Sequence, residues 1–183
     1  MAQPKPPTLV AGLGNPGEDY AMTRHNAGFL TVDALARRHG VTYWKSRAGC
    51  EVAEVKMAGR AITLAKPQSY MNTSGGPISK LMRELGTEAS ELLVVHDEVD
   101  LAAGEVRDKF GGGLNAHNGL RSIKAKLTSG DFWRVRVGIG RPPGKMSVAD
   151  WALRKLKGNF AEEFLVTCEQ AADALERLLK EQG

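Results

Sequence analysis

The chain has 183 residues, 42% of them apolar and 25% charged, which is the make-up of a globular protein with ample core material and excludes a disordered or low-complexity chain. A net charge of +4 and a pI near 9.1 favour an anionic partner, nucleic acid or phosphate, over a cationic one. The N-terminal MAQPKPPT has no apolar signal region, no run approaches the roughly 18 apolar residues that span a bilayer, and Cys50 and Cys168 fit no C-x-x-C pattern, so a cytoplasmic protein with two reduced thiols in its core is expected.

Thr8 to Ala11 is short, apolar and partly β-branched, as in a buried strand, and Gly12-Leu13-Gly14-Asn15-Pro16-Gly17 breaks the chain sharply after it. Gly12 to Gly17 also satisfies G-x-G-x-x-G. A dinucleotide loop, however, needs a helix starting within the glycines and an acid at a strand end about 20 residues on. Glu18 to His25 has no sustained apolar period, and Asp33 falls inside the next helical pattern. The loop instead delivers Asn15, Tyr20, Thr23, Arg24, His25 and Asn26 to the rim where open α/β sheets bind ligands.

Phe29, Val32, Leu35 and Ala36 recur at helical spacing, with Asn26 placed to cap the start and Gly40 to stop the end. Cys50 to Met57 and Ala61 to Lys66 read as strands of a hairpin around Ala58-Gly59-Arg60, which makes the sheet mixed. Lys66 to Gly76 is a polar connection, and Pro77 opens a helix carrying Ile78, Leu81, Met82 and Leu85. Leu92 to His96 has the unbroken apolar character of a central strand, and Asp97, Glu98 and Asp100 are expected on a second rim loop after it. Glu105 to Phe110 is a further strand, and Gly111-Gly112-Gly113 places a mobile loop from Lys109 to Asn118, before a helix with Leu120, Ile123 and Leu127. In Phe132 to Gly140, Val135, Val137 and Ile139 alternate with Arg134 and Arg136, as in a half-covered strand. Ser147 to Asp150 fits a capping box, and Phe164, Leu165, Cys168, Ala171, Ala172, Leu175, Leu178 and Leu179 form a terminal amphipathic helix. The expectation is one α/β domain over residues 1–183, in three layers, with a twisted mixed β-sheet and helices on both faces.

For chemistry, His25 pairs best with Asp97, because a carboxylate on one imidazole nitrogen fixes the tautomer and leaves the other nitrogen free to take a proton. His25, His96, Asp97, Glu98 and His117 would also supply a zinc site, but there is no H-E-x-x-H, and His96 and Asp97 alternate on an extended segment. Ser69 and Ser74 lie in no G-x-S-x-G elbow, so a water nucleophile is simpler than an acyl-enzyme. Asparagines suit such a site, since they donate and accept without carrying charge.

Four segments, in order, are GLGNPG-x-x-Y-x-x-T-R-H-N-x-G from Gly12, KPQSYMNTSG from Lys66, VVHDEVDL from Val94 and KFGGGLNAHNGLRSI from Lys109. Together they resemble the bacterial peptidyl-tRNA hydrolase family over most of residues 8 to 141, with the match thinning after Arg141. The resemblance implies a metal-independent hydrolase without cofactor, a monomer, that cleaves the ester joining a peptide to the terminal ribose of tRNA. It implies His25 as general base, Asp97 holding it and Asn15 beside them. Tyr20, Tyr70, Asn72, His117 and Asn118 would contact the peptidyl and terminal-nucleotide parts, and Lys109 a phosphate. Arg134 or Arg136 and the cations from Arg154 to Lys157 are further phosphate candidates, the last group being equally readable as a solvated helix face. The family's GGGHGGHNGL is altered here, with Leu114, Asn115 and Ala116 in place of His-Gly-Gly, which stiffens the loop.

Overall fold

The computed structural model describes residues 4–114 and 116–183, so Asn115 lies outside the described residues. Seven strands form one mixed sheet: β1 (Leu9–Gly12), β2 (Lys45–Arg47), β3 (Cys50–Met57), β4 (Arg60–Pro67), β5 (Leu92–Glu98), β6 (Val106–Phe110) and β7 (Trp133–Gly138), in the order β2-β3-β4-β1-β5-β7-β6. The inner strands β4, β1, β5 and β7 run parallel, and β2, β3 and β6 add antiparallel edges. Period-two side-chain placement divides the core. Val10, Leu93, Val95, Val135 and Val137 pack under α1 (Ala27–Arg38) and α5 (Gly158–Glu181), whereas Leu9, Ala11, Leu92 and Val94 pack under α2 (Gly75–Leu85) and α3 (Asn118–Leu127). The result is three layers with the parallel strand ends pointing to one rim. A short helix, α4 (Val148–Leu153), lies on that rim.

The hairpin turn uses left-handed conformations at Ala58 (φ 51°) and Gly59 (φ 75°), which match the twist of the flanking strands. The glycines of the first loop serve packing: a Cβ on Gly12 would lie 2.3 Å from the Gly28 carbonyl oxygen, and one on Gly28 would lie 2.2 Å from the Leu13 nitrogen. β1 and the start of α1 therefore touch backbone to backbone, and no helix starts among the loop glycines.

Several expectations are corrected. Asp97 and Glu98 belong to β5 and are buried, with only Asp100 beyond it, because the strand continues in register with Val137 and Gly138. β7 is covered on both faces at Arg134, which is 2% exposed and gives its guanidinium to the carbonyls of Gly112, Gly113 and Gly130. The glycines are thus tethered, and Lys109 and Asn118 lie in β6 and α3, not in the loop. Arg154 to Lys157 is no helix face: it is an extended link, with Lys155 bridged to Thr23 and the Leu156 amide bonded to the Met22 carbonyl at 2.8 Å. Leu165, expected in the core, is 40% exposed. β2, three exposed residues, is an edge strand that apolar patterning does not mark. Cys50 and Cys168 are buried free thiols, and burial pushes both up to about 12.

Candidate active site

Three elements meet at Asp97. The β1–α1 connection closes with a 3-10 turn (Arg24–Asn26) that carries His25, β5 ends with Asp97, and His117 caps α3. His25 Nδ1 lies 2.9 Å from Asp97 Oδ2, and His117 Nε2 lies 2.8 Å from Asp97 Oδ1. The carboxylate is 4% exposed, and each oxygen takes one imidazole N–H. Burial alone would raise the Asp97 carboxyl, but His25 and His117 outweigh it and hold it well below the usual range.

The hydrogen bonds assign both ring tautomers. His117 Nδ1 accepts from the Gly119 and Leu120 amides at 3.1 and 3.3 Å, so its proton sits on Nε2 and is given to Asp97. His25 gives Nδ1–H to Asp97, which leaves Nε2 as its free lone pair. Burial lowers the His25 pKa, but Asp97, by charge and by hydrogen bond, overcomes this and raises it above 6.5. His96 does not turn away from the group: its ring lies 5.1 Å from that of His117, and its Nδ1–H bonds the Asp97 carbonyl at 2.8 Å. Burial, then His117, lowers its pKa to about 3, so it is neutral.

His25, Asp97, His117 and Asn118 line a cavity of about 510 Å³ together with Val148 and Leu153 of α4. The Trp151 indole N–H bonds the Ile139 and Gly140 carbonyls, both at 3.1 Å, and holds α4 in place. An ion pair between Arg141 and Asp100 borders the same space. Neither the α4 wall nor this pair was expected from sequence.

Asn15 lies on the adjoining loop, 6% exposed. Its Oδ1 accepts the Met71 amide at 2.7 Å, which leaves its amide NH2 as the free end. Asn26 was expected to cap α1 but makes no cap bond: its Oδ1 accepts the Asn15 amide at 2.8 Å and its Nδ2 donates to the Asn15 carbonyl at 2.9 Å. Cap statistics favour Asn at such a position, and only the tertiary contact reveals its other use. Tyr20 and Tyr70 meet edge to face with centroids 6.2 Å apart, Tyr70 being 61% exposed. Asn72 is exposed in the 3-10 turn Met71–Thr73, next to Asn15's partner. Lys109 is not in this cluster. It is exposed on β6 opposite Arg134, about 14 Å from Asp97 by strand spacing and rise.

His25, Asp97 and His117 also bring ligand-type atoms within 4.8 Å of one another, as a metal site would. Both facing nitrogens, however, carry protons in the bonds to Asp97, and freeing His117 Nε2 would require its Nδ1 to give up two α3 amides.

A family model described as peptidyl-tRNA hydrolase matches residues 9–183, including the part after Arg141 where the motifs thin. The chain is 51% identical over 173 residues to the peptidyl-tRNA hydrolase of Frankia casuarinae, covering 94% of this chain and 88% of that one. It is 49% identical over 173 residues to that of Rhodococcus erythropolis, with 94% and 91% covered. The crystal structure of peptidyl-tRNA hydrolase from Acinetobacter baumannii matches the fold with a TM-score of 0.82 at 32% identity, covering 100% of this chain and 96% of that one. The chain belongs to the peptidyl-tRNA hydrolase family.

Proposed function

We propose that the cavity at His25 is where this chain hydrolyses the ester between the peptide of peptidyl-tRNA and its 3′-terminal ribose. The supporting observation is the carboxylate of Asp97 shared by two imidazoles. It aims the bare Nε2 of His25 at a water, and it stabilises the imidazolium formed when that nitrogen takes the water's proton. The water oxygen attacks the ester carbonyl, the bond to the ribose oxygen breaks, and the proton passes from His25 to the leaving ribose oxygen. Peptide acid and free tRNA result. His117 has both nitrogens engaged, so its role is to position Asp97 rather than to bind the substrate.

Asn15 presents N–H donors because Met71 occupies its oxygen. Donors suit the acyl carbonyl oxygen of an N-blocked aminoacyl group and oppose a free ammonium, which has only donors of its own. Asn118, Asn72, Tyr20 and Tyr70 complete the contacts to the peptide and terminal nucleotide, and Lys109 meets a phosphate farther along the tRNA. We further infer one domain over residues 1–183, acting as a monomer in the cytoplasm, where its tRNA substrate is found. Among the described residues no helix is long and apolar enough to cross a membrane.

The test is peptide release from a purified N-acetyl-aminoacyl-tRNA, with and without EDTA. Turnover unaffected by chelator supports water activation by His25 alone. Loss of turnover with EDTA, restored by zinc, overturns it.

A further inference from the structure

A second cleft, of about 270 Å³, lies against Trp151 and the start of α5 and is lined by Arg24, Trp151, Phe160, Glu163 and Phe164. It is separate from the cavity at His25. Arg24 is 9% exposed and its guanidinium carbon lies 3.5 Å from the centre of the Trp151 ring. One of its five N–H donors meets the Trp151 carbonyl at 3.2 Å. Among the described residues no carboxylate pairs with it, and the charge that acts on it is another cation, Arg154; burial and then Arg154 lower its pKa. An arginine remains charged at neutral pH, and a buried charge without a counter-ion is unfavourable unless something supplies one.

The surroundings point the same way. α5 starts at the cleft without a side-chain cap and with no acid in its first turn, so its amide end is free to attract negative charge. Arg154 and Lys157 precede it on an extended link, whose Lys155 is ion-paired with Asp19 at 3.4 Å, and Phe160, 69% exposed, lies in the first turn of α5 on the cleft wall. A cationic strip next to an exposed aromatic ring is the pattern that holds RNA, with phosphate on arginine and a base or sugar against the ring. Glu163 is the one acid on the lining and opposes an anion.

We propose that this cleft is a phosphate subsite for the tRNA part of the substrate, with Arg24 as its donor, the exposed Arg154 as a nearby cation outside the lining, and Phe160 as its apolar wall. The proposal rests on the tRNA reading of the function, and because Arg24 precedes His25, it ties tRNA binding to the turn that carries the base. It is tested by binding of deacylated tRNA, without catalysis, across a series of salt concentrations. Arg24→Gln flattens the slope of log affinity against log salt by about one unit, since one phosphate contact is lost. Arg154→Gln weakens binding at low salt, and Glu163→Gln tightens it severalfold. Should Arg24→Gln fail to fold, the two exposed variants carry the test. An unchanged slope together with unchanged affinity in Glu163→Gln overturns the subsite, as does inorganic phosphate binding in the cleft while all variants bind tRNA like wild type. Neither outcome touches turnover by His25, so failure here is distinguishable from failure of the hydrolase reading.

Discussion

Asp97 and His117 are joined at 2.8 Å by a hydrogen bond that only one neutral tautomer of the histidine can make, because the other ring nitrogen caps α3. His25, the proposed base, is thereby coupled to a helix terminus through a carboxylate. His117→Ala removes a cap worth about 1 kcal/mol. It also leaves a buried oxygen of Asp97 unbonded, at about 1–3 kcal/mol. Thermal unfolding moves to lower temperature. The less satisfied carboxylate also favours the His25 cation more strongly, so the acid limb of the pH–rate profile moves up. A limb at the wild-type position in a folded variant contradicts this coupling.

Asp97→Asn moves the limb the other way. The raised His25 pKa means that the neutral base is lost as pH falls through a value above 6.5. Without the charge of Asp97 that value falls, the limb moves to lower pH and the plateau rate drops. Stability has the opposite sign. A group whose folded pKa is raised stabilises fully below its unfolded value, so the charged His25–Asp97 pair contributes below about pH 6.5 and is lost as pH rises through the raised value. The difference in unfolding temperature between wild type and His25→Ala is therefore larger at acidic than at alkaline pH.

Asn26→Asp is expected to reduce kcat/KM without touching substrate. A carboxylate can still accept the Asn15 amide but cannot donate to its carbonyl, so the loop bearing Asn15 loses one buried bond of the pair, about 1–3 kcal/mol. Unchanged kcat/KM would make Asn26 a packing residue only.

Lys109→Ala raises KM for tRNA substrates and flattens the salt dependence of binding by about one unit, with kcat little changed. An unchanged slope returns Lys109 to the solvated surface.

Asn15→Ala reduces the preference for N-acetyl-aminoacyl-tRNA over the free aminoacyl form, measured as the ratio of kcat/KM values. An undiminished ratio removes Asn15 from that choice.

Much of this arrangement is legible in the sequence, and the exceptions share a cause. The buried runs Leu9–Gly12 and Leu92–His96 and the helical period of Phe29 to Ala36 announce β1, β5 and α1, because burial on the sheet leaves a pattern of apolar residues. Polar residues buried through partners leave none. Asp97 and Glu98 read as loop because they are charged, although their backbone continues the ladder with β7. Arg134 reads as solvent-facing because its partners are carbonyls of Gly112, Gly113 and Gly130, which carry no side-chain signal. Asn26 reads as a cap because its real partner is the backbone of Asn15, 11 residues away. β2 is missed because Lys45-Ser46-Arg47 is exposed throughout.

The most direct measurement is the turnover of His25→Ala on N-acetyl-aminoacyl-tRNA, alongside circular dichroism of the same preparation. General-base contributions are about 10²–10⁴, so a folded variant should lose at least about a hundredfold in kcat. A well-folded His25→Ala protein turning over at the wild-type rate would contradict the assignment of His25 as the base.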